Sequence, residues 1–126
     1  MRIAVVGAGG VGGLVGGMLA RAGHQVAFVA RGAQLAALRE GGLRVEGPRA
    51  SFHLPRVEAA EDPASLAPAD VVLVCVKGWQ VREIAPRLPP LLAAGGFAVP
   101  LQNGVEAAGE LARALGEERV VGGIIH

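Results

Sequence analysis

The residues able to do chemistry in this chain sit at the ends of short apolar runs. Gly7-Ala8-Gly9-Gly10-Val11-Gly12 follows the run Arg2–Val6 and opens a stretch with helical spacing. A G-x-G-x-x-G pattern between a strand and a helix is the arrangement that cradles a pyrophosphate. Gly7 permits the tight turn, Gly9 lets a phosphate approach the backbone, and Gly12 lets the helix pack close to the strand. The helix's first amides and the positive end of its dipole then face the anion. In a chain with 20 glycines the pattern alone says little. Its place directly after a buried strand gives it weight, so Gly7, Ala8, Gly9, Gly10, Val11 and Gly12 are expected to bind a dinucleotide.

NAD-selective sites place an acid about 20 residues beyond that loop, against the ribose hydroxyls. Here Arg31 stands nineteen residues after Gly12, and no Asp or Glu occurs from Met1 to Arg39. A guanidinium grips a phosphate through paired, charge-assisted hydrogen bonds, so the expected cofactor is NADP(H). Lys77, the only lysine, and Asn103, the only asparagine, each follow a later apolar run. Lys77 can donate to a ribose or a substrate, and Asn103 can offer its amide to a carbonyl or hydroxyl near the reacting carbon. Each has an ordinary alternative, a solvated strand-end lysine and an Asn-Gly turn. Among the rest, His24 reads as a turn residue, His53 as exposed and His126 as terminal. Cys75 reads as packing inside an apolar strand, and Trp79 as helix core or a cover over the site. No metal site is expected.

The elements that must position these residues alternate along the chain. Strands are expected at Arg2–Val6, Gln25–Ala30, Val71–Val76, Gly96–Leu101 and Arg119–Ile125, and the unbroken apolar run Val71–Val76 marks a strand covered on both faces. Helices are expected at Gly10–Ala22, at Ala33–Glu40 and at Gly104–Leu115, with a fourth from Trp79 that Pro86, Pro89 and Pro90 must kink or end. In the first helix Val11, Leu14, Val15, Met18, Leu19 and Ala22 form an apolar stripe. A second stripe, Gly12, Gly13, Gly16, Gly17 and Ala20, costs up to about 1 kcal/mol per glycine against alanine. The close approach of another backbone is the expected offset at Gly16 and Gly17. Leu43–Glu46 and Ser51–Val57 alternate apolar with polar around Gly47-Pro48 and read as an antiparallel pair at the sheet's edge. Alternating strands and helices give an α/β, doubly wound parallel sheet, the Rossmann fold, as one domain over residues 1–126. In strand order 3-2-1-4-5-6, Lys77 and Asn103 lie toward the nicotinamide and Arg31 toward the adenosine.

Composition narrows the class further. The net charge is +1 and the basic residues are scattered, so no nucleic-acid partner is expected. One cysteine allows no internal disulfide, which suits a cytoplasmic protein. Ile3 to Ala20 is uncharged and long enough to suggest a membrane span, but seven glycines in it fit the phosphate loop better. No membrane association is expected.

Several segments resemble the ketopantoate reductases (2-dehydropantoate 2-reductases). They are Met1–Gly13, the Ala22–Val26 turn, Val29-Ala-Arg-Gly32, Ala69–Lys77 and Leu101-Gln-Asn-Gly104. The Lys77 and Asn103 segments are the more specific, since many dehydrogenases share the glycine loop. The resemblance implies reduction of ketopantoate to pantoate with NADPH, on the route to pantothenate and coenzyme A. It implies that the loop holds the pyrophosphate and Arg31 the 2′-phosphate, with Lys77 and Asn103 near the nicotinamide and Asn103 also on the substrate. In that family a mostly helical second domain follows, carrying the proton-donating lysine and most substrate contacts. No catalytic acid is assigned within these 126 residues, and the chain alone is expected to bind NADPH but to reduce ketopantoate poorly. A missing domain or a second chain is the expected partner. Two alternatives stay open: a related 2-oxo acid or hydroxy-acid dehydrogenase domain, and a nucleotide-sensing Rossmann module without catalysis.

Overall fold

A computed structural model describes residues 1–48, 51–101 and 105–121. Five parallel strands form the central sheet: β1 (Arg2–Val6), β2 (Gln25–Val29), β5 (Glu58–Ala60), β6 (Ala69–Val74) and β7 (Leu92–Pro100). Their order is β5-β2-β1-β6-β7. Four helices accompany them: α1 (Val11–Arg21), α2 (Gly32–Gly41), α3 (Gly78–Ile84) and α4 (Val105–Leu115). β1 lies at the centre, and the chain winds outward from it in both directions, which makes the sheet doubly wound.

The alternation of side chains along each strand explains why both faces are covered. Ile3 and Val5 of β1 join Phe28, Leu73, Leu35 and Leu38 in one core, on the side of α2. Ala4 and Val6 face the other way, into a core with Val72, Val74, Val81 of α3, and Leu111 and Leu115 of α4. Ala107, Leu111 and Leu115 recur every four residues, the spacing that keeps one helical face against a sheet. α3 is short because Pro86 has no N–H to continue it; 3₁₀ turns at Ala85–Arg87 and Pro89–Leu91 carry the chain to β7. At the amino edge, Arg2 ties three segments together. Its guanidinium donates to both carboxylate oxygens of Glu58 at 3.0 and 3.2 Å and to the Ala67 carbonyl at 3.0 Å.

The first helix inverts the apolar-stripe expectation. Gly12, Gly13, Gly16 and Gly17 form its buried face. Val11, Leu14 and Met18 are 52%, 41% and 53% exposed, while Val15 and Leu19 pack at the margin of the core. The close approach that the glycines allow also differs from expectation. A Cβ on Gly16 would lie 2.7 Å from the Phe28 ring, and one on Gly17 would lie 2.9 Å from the Phe52 ring. Aromatic side chains, rather than a second backbone, occupy the space.

The antiparallel pair is present but is not the edge of the main sheet. β3 (Leu43–Val45) and β4 (Phe52–Leu54) form a separate two-stranded sheet. Leu43 and Phe52 reach the space left open over Gly17, so the pair lies against α1. The expected strand Ser51–Val57 therefore ends early at Leu54. The edge position goes to β5, which pairs in parallel with β2. β7 begins at Leu92, before the expected Gly96. Glu117–Arg119 is a 3₁₀ turn, and Val120 makes a parallel bridge to Ala98 beside β7. The expected last strand is thus reduced to that bridge among the described residues, and residues 122–126, with His126, lie outside them.

Candidate functional site

Strand register places the site. Val6 is level with Val29 and Val74, Val29 with Ala60, and Val74 with Pro100. The ladder runs one step further, through Gly7 N–H to the Val29 carbonyl at 2.9 Å and Cys75 N–H to the Val6 carbonyl at 2.8 Å. Ala30 N–H to the Ala60 carbonyl and Leu101 N–H to the Val74 carbonyl complete the row, at 3.0 and 2.9 Å. Residues just past these points emerge along one edge. That edge opens into a cavity of about 900 Å³, lined by Gly7, Gly9, Gly10, Arg31, Glu61, Cys75, Lys77 and Leu101 among others.

The glycine loop has the tight form its sequence predicts. Gly7 has φ 96° and Gly10 has φ 48°, both in the left-handed region. A Cβ on Gly12 would collide with the Gly7 carbonyl oxygen and lie 3.1 Å from the Cys75 Cβ. Gly12 therefore packs beneath the loop and does not line the cavity; Ala8 is buried as well. Gly9, Gly10 and Val11 do line it. Gly10 precedes the first turn of α1 and Val11 opens it, so the turn begins at the cavity, although the Gly12 N–H is already taken by the Gly9 carbonyl at 3.0 Å.

Arg31 caps the start of α2 with extended backbone, and its side chain is 64% exposed. Its guanidinium lies 4.0 Å from the carboxylate of Glu83 in α3. Lys77 precedes α3 and is exposed. Its backbone is fixed reciprocally by Gln80: Lys77 N–H donates to Gln80 Oε1 at 3.0 Å, and Gln80 N–H donates to the Lys77 carbonyl at 2.8 Å. Arg31 and Lys77 thus enter one cavity with the loop. Asn103 lies outside the described residues.

Other residues in the cavity escaped the sequence reading. Glu61, Gln34, Gln80, Glu83 and Arg87 all line it. Glu61 follows β5 as Arg31 nearly follows β2, so the strand-end rule would have found it had the edge strand been placed correctly. Glu83 and Arg87 come from α3 and the turn after it, where only three-dimensional packing brings them in. Cys75 is not inside a strand: it follows β6 and lines the cavity, and burial pushes its thiol up to about 11. Trp79 is 66% exposed, so it is not helix core. His53 is exposed as expected, and its Nε2 lies 2.6 Å from the Gly41 carbonyl. No helix among the described residues is long and apolar enough to cross a membrane.

A doubly wound sheet with a glycine loop at its central switch point defines a dinucleotide-binding protein of the Rossmann type. The family model for "Ketopantoate reductase PanE/ApbA" matches residues 3–126, and the chain belongs to that family. It is 33% identical over 123 residues to a 2-dehydropantoate 2-reductase of Nostoc sp., covering 98% of this chain and 38% of that protein. It is 38% identical over 126 residues to one from Halobacterium salinarum, covering 98% and 41%. The crystal structure of a PanE/ApbA family ketopantoate reductase from Ralstonia eutropha superposes with TM-score 0.89 at 39% identity, over 100% of this chain and 42% of that one. The chain therefore spans about two fifths of the length of these relatives.

Proposed function

We propose that residues 1–126 are the NADP(H)-binding domain of an NADPH-dependent 2-dehydropantoate 2-reductase, which reduces ketopantoate to pantoate for pantothenate and coenzyme A synthesis. The observation that carries this is one cavity shared by the Gly7–Gly12 loop, Arg31 and Lys77. The donors suit such a cofactor. Amides at the start of α1 face a pyrophosphate, and the exposed Arg31 guanidinium at the head of α2 suits a 2′-phosphate. Lys77, held in place by Gln80, supplies donors toward the nicotinamide end. Asn103, two residues beyond the cavity-lining Leu101, takes its cofactor and substrate role from the family likeness.

When bound, the dinucleotide supplies the hydride. The residues of this chain bind and orient it. Reduction of a ketone also needs a proton at the new alkoxide oxygen. We assign no residue of this chain to that step, and place the donor in the part of the reductase that the relatives' greater length represents. A single cysteine suits a cytoplasmic enzyme.

The test is the affinity for NADPH and NADH before and after Arg31→Ala. The parent is expected to prefer NADPH, and the variant to lose most of that preference, about 10-fold or more for a charged contact to phosphate. Equal affinities in the parent refute the cofactor assignment.

A further inference from the structure

The cavity brings acids to Arg31 that the chain's first 39 residues lack. Arg31 heads α2, whose Leu35 and Leu38 pack on one face of the sheet. Glu83 belongs to α3, whose Val81 packs on the other face. Their ion pair at 4.0 Å therefore crosses the carboxyl edge of the sheet, over the cavity itself. The neighbouring charges have their own arrangement. Arg87 lines the same cavity but pairs with Asp62 at 3.6 Å, and Glu61 adds a second cavity-lining carboxylate. Among the described residues, the carboxylate that pairs with Arg31 is that of Glu83.

We infer that Glu83 tunes the selectivity of this cavity between phosphorylated and unphosphorylated dinucleotides, by holding Arg31 in an ion pair that a 2′-phosphate must displace. The inference rests on the assignment of Arg31 to that phosphate. A ribose bearing only hydroxyls leaves the Arg31–Glu83 pair intact. A phosphate dianion competes for the guanidinium and is repelled by the carboxylate that remains beside it. Glu83 is thus a positioning residue. It acts through Arg31, and its charge opposes the preference that Arg31 creates. The size of the effect is bounded by exposure: both side chains are 64% exposed, so water and salt screen them. Exposed pairs of this kind are worth less than about 1 kcal/mol, which is about fivefold in affinity. Repulsion of the dianion adds to this, within a Debye length of about 8 Å at physiological salt.

The experiment is a binding titration of the chain with NADPH and with NADH, reading the ratio of the two affinities. Glu83→Gln is expected to raise the ratio in favour of NADPH by about fivefold, while Glu83→Asp, which keeps the charge, stays nearer the parent. The gap between parent and Glu83→Gln should shrink at high salt, which a loss of shape or stability would not produce. An unchanged or lowered ratio in Glu83→Gln overturns the inference. If Arg31→Ala still abolishes the parent's preference in that case, the cofactor assignment stands without it. If the parent shows no preference, the cofactor assignment fails and the role of Glu83 falls with it.

Discussion

Alanine in place of glycine should move stability in opposite directions at two helical positions of this chain. Gly16 lies in the buried face of α1 and Gly109 on the exposed face of α4. In either helix the substitution gains up to about 1 kcal/mol of helix propensity. At Gly109 a Cβ meets nothing within 4 Å, so that gain is kept. At Gly16 it would lie 2.7 and 2.8 Å from two atoms of the Phe28 ring and 3.1 Å from a Val5 methyl. Both neighbours are fully buried at 0% exposure, so neither can swing into solvent. Lifting the helix instead would open the close packing of Gly12 and Gly13 on the backbone of the loop, which carries its own cost. Overpacking of this kind costs about 1–3 kcal/mol, and two rigid neighbours place it in the upper half. Gly16→Ala should therefore lose about 1–2 kcal/mol net, and Gly109→Ala should gain about 0.5–1 kcal/mol. In a domain of this size those changes correspond to a fall of roughly 4–10 °C and a rise of roughly 2–5 °C in melting temperature. Urea and thermal denaturation followed by circular dichroism would measure both. In a Phe28→Leu background the Gly16→Ala penalty should shrink by about 1 kcal/mol, since the two sites are in contact. A Gly16→Ala variant as stable as the parent would refute the account of α1 packing.

Two further outcomes follow from the loop and its neighbour. Gly12→Ala drives a Cβ into the Gly7 carbonyl, which is backbone and cannot yield. It should cost more than about 3 kcal/mol and abolish dinucleotide binding, whereas Gly10→Ala, with open space but φ 48° and ψ −111°, should cost about 1–3 kcal/mol; a Gly12→Ala chain that melts with the parent would contradict this. Burial holds the Cys75 thiol protonated to about 11 when folded, against 9.0 ordinarily. The unfolded chain therefore releases that proton first, so the thiol's contribution to stability is present below about pH 9 and lost as pH rises to about 11. The urea midpoint of the parent should fall more steeply over that range than that of Cys75→Ala, and parallel curves would show the thiol is not shielded.

Much of the fold was legible because β1, β2 and β6 are covered on both faces. A continuous apolar run that ends at glycine or a charge is what a doubly covered strand requires, and Arg2–Val6 is recovered residue for residue. The edges were less legible. β5 is only Glu58-Ala59-Ala60, too short and too weakly apolar to stand out. It is a strand because β2 offers it a ladder, not because of its own pattern. The same limit hid the seat of the β3–β4 pair, since alternation reveals that one face is buried without saying against what. In α1 the largest apolar residues drew the core-facing reading. The packing there is decided by where bulk is forbidden, and Phe28 and Phe52 take that space.

The site divides along the same line. Arg31 and Lys77 could be found from sequence because each lies within three residues of the end of a sheet strand, and the ladder sets all those ends level. Glu83 could not, because it sits near the end of α3, away from any strand end, and reaches the cavity only because α3 shares a core with β6 and β7. The distinction bears on selectivity. In the sequence, the charge at the end of β2 is Arg31 alone, which favours a phosphate outright. The folded cavity sets Glu83 against that guanidinium and adds Glu61 beyond the neighbouring strand. Preference for one dinucleotide over the other is then a difference between opposed charges, and a single neutral substitution on α3 should be enough to move it.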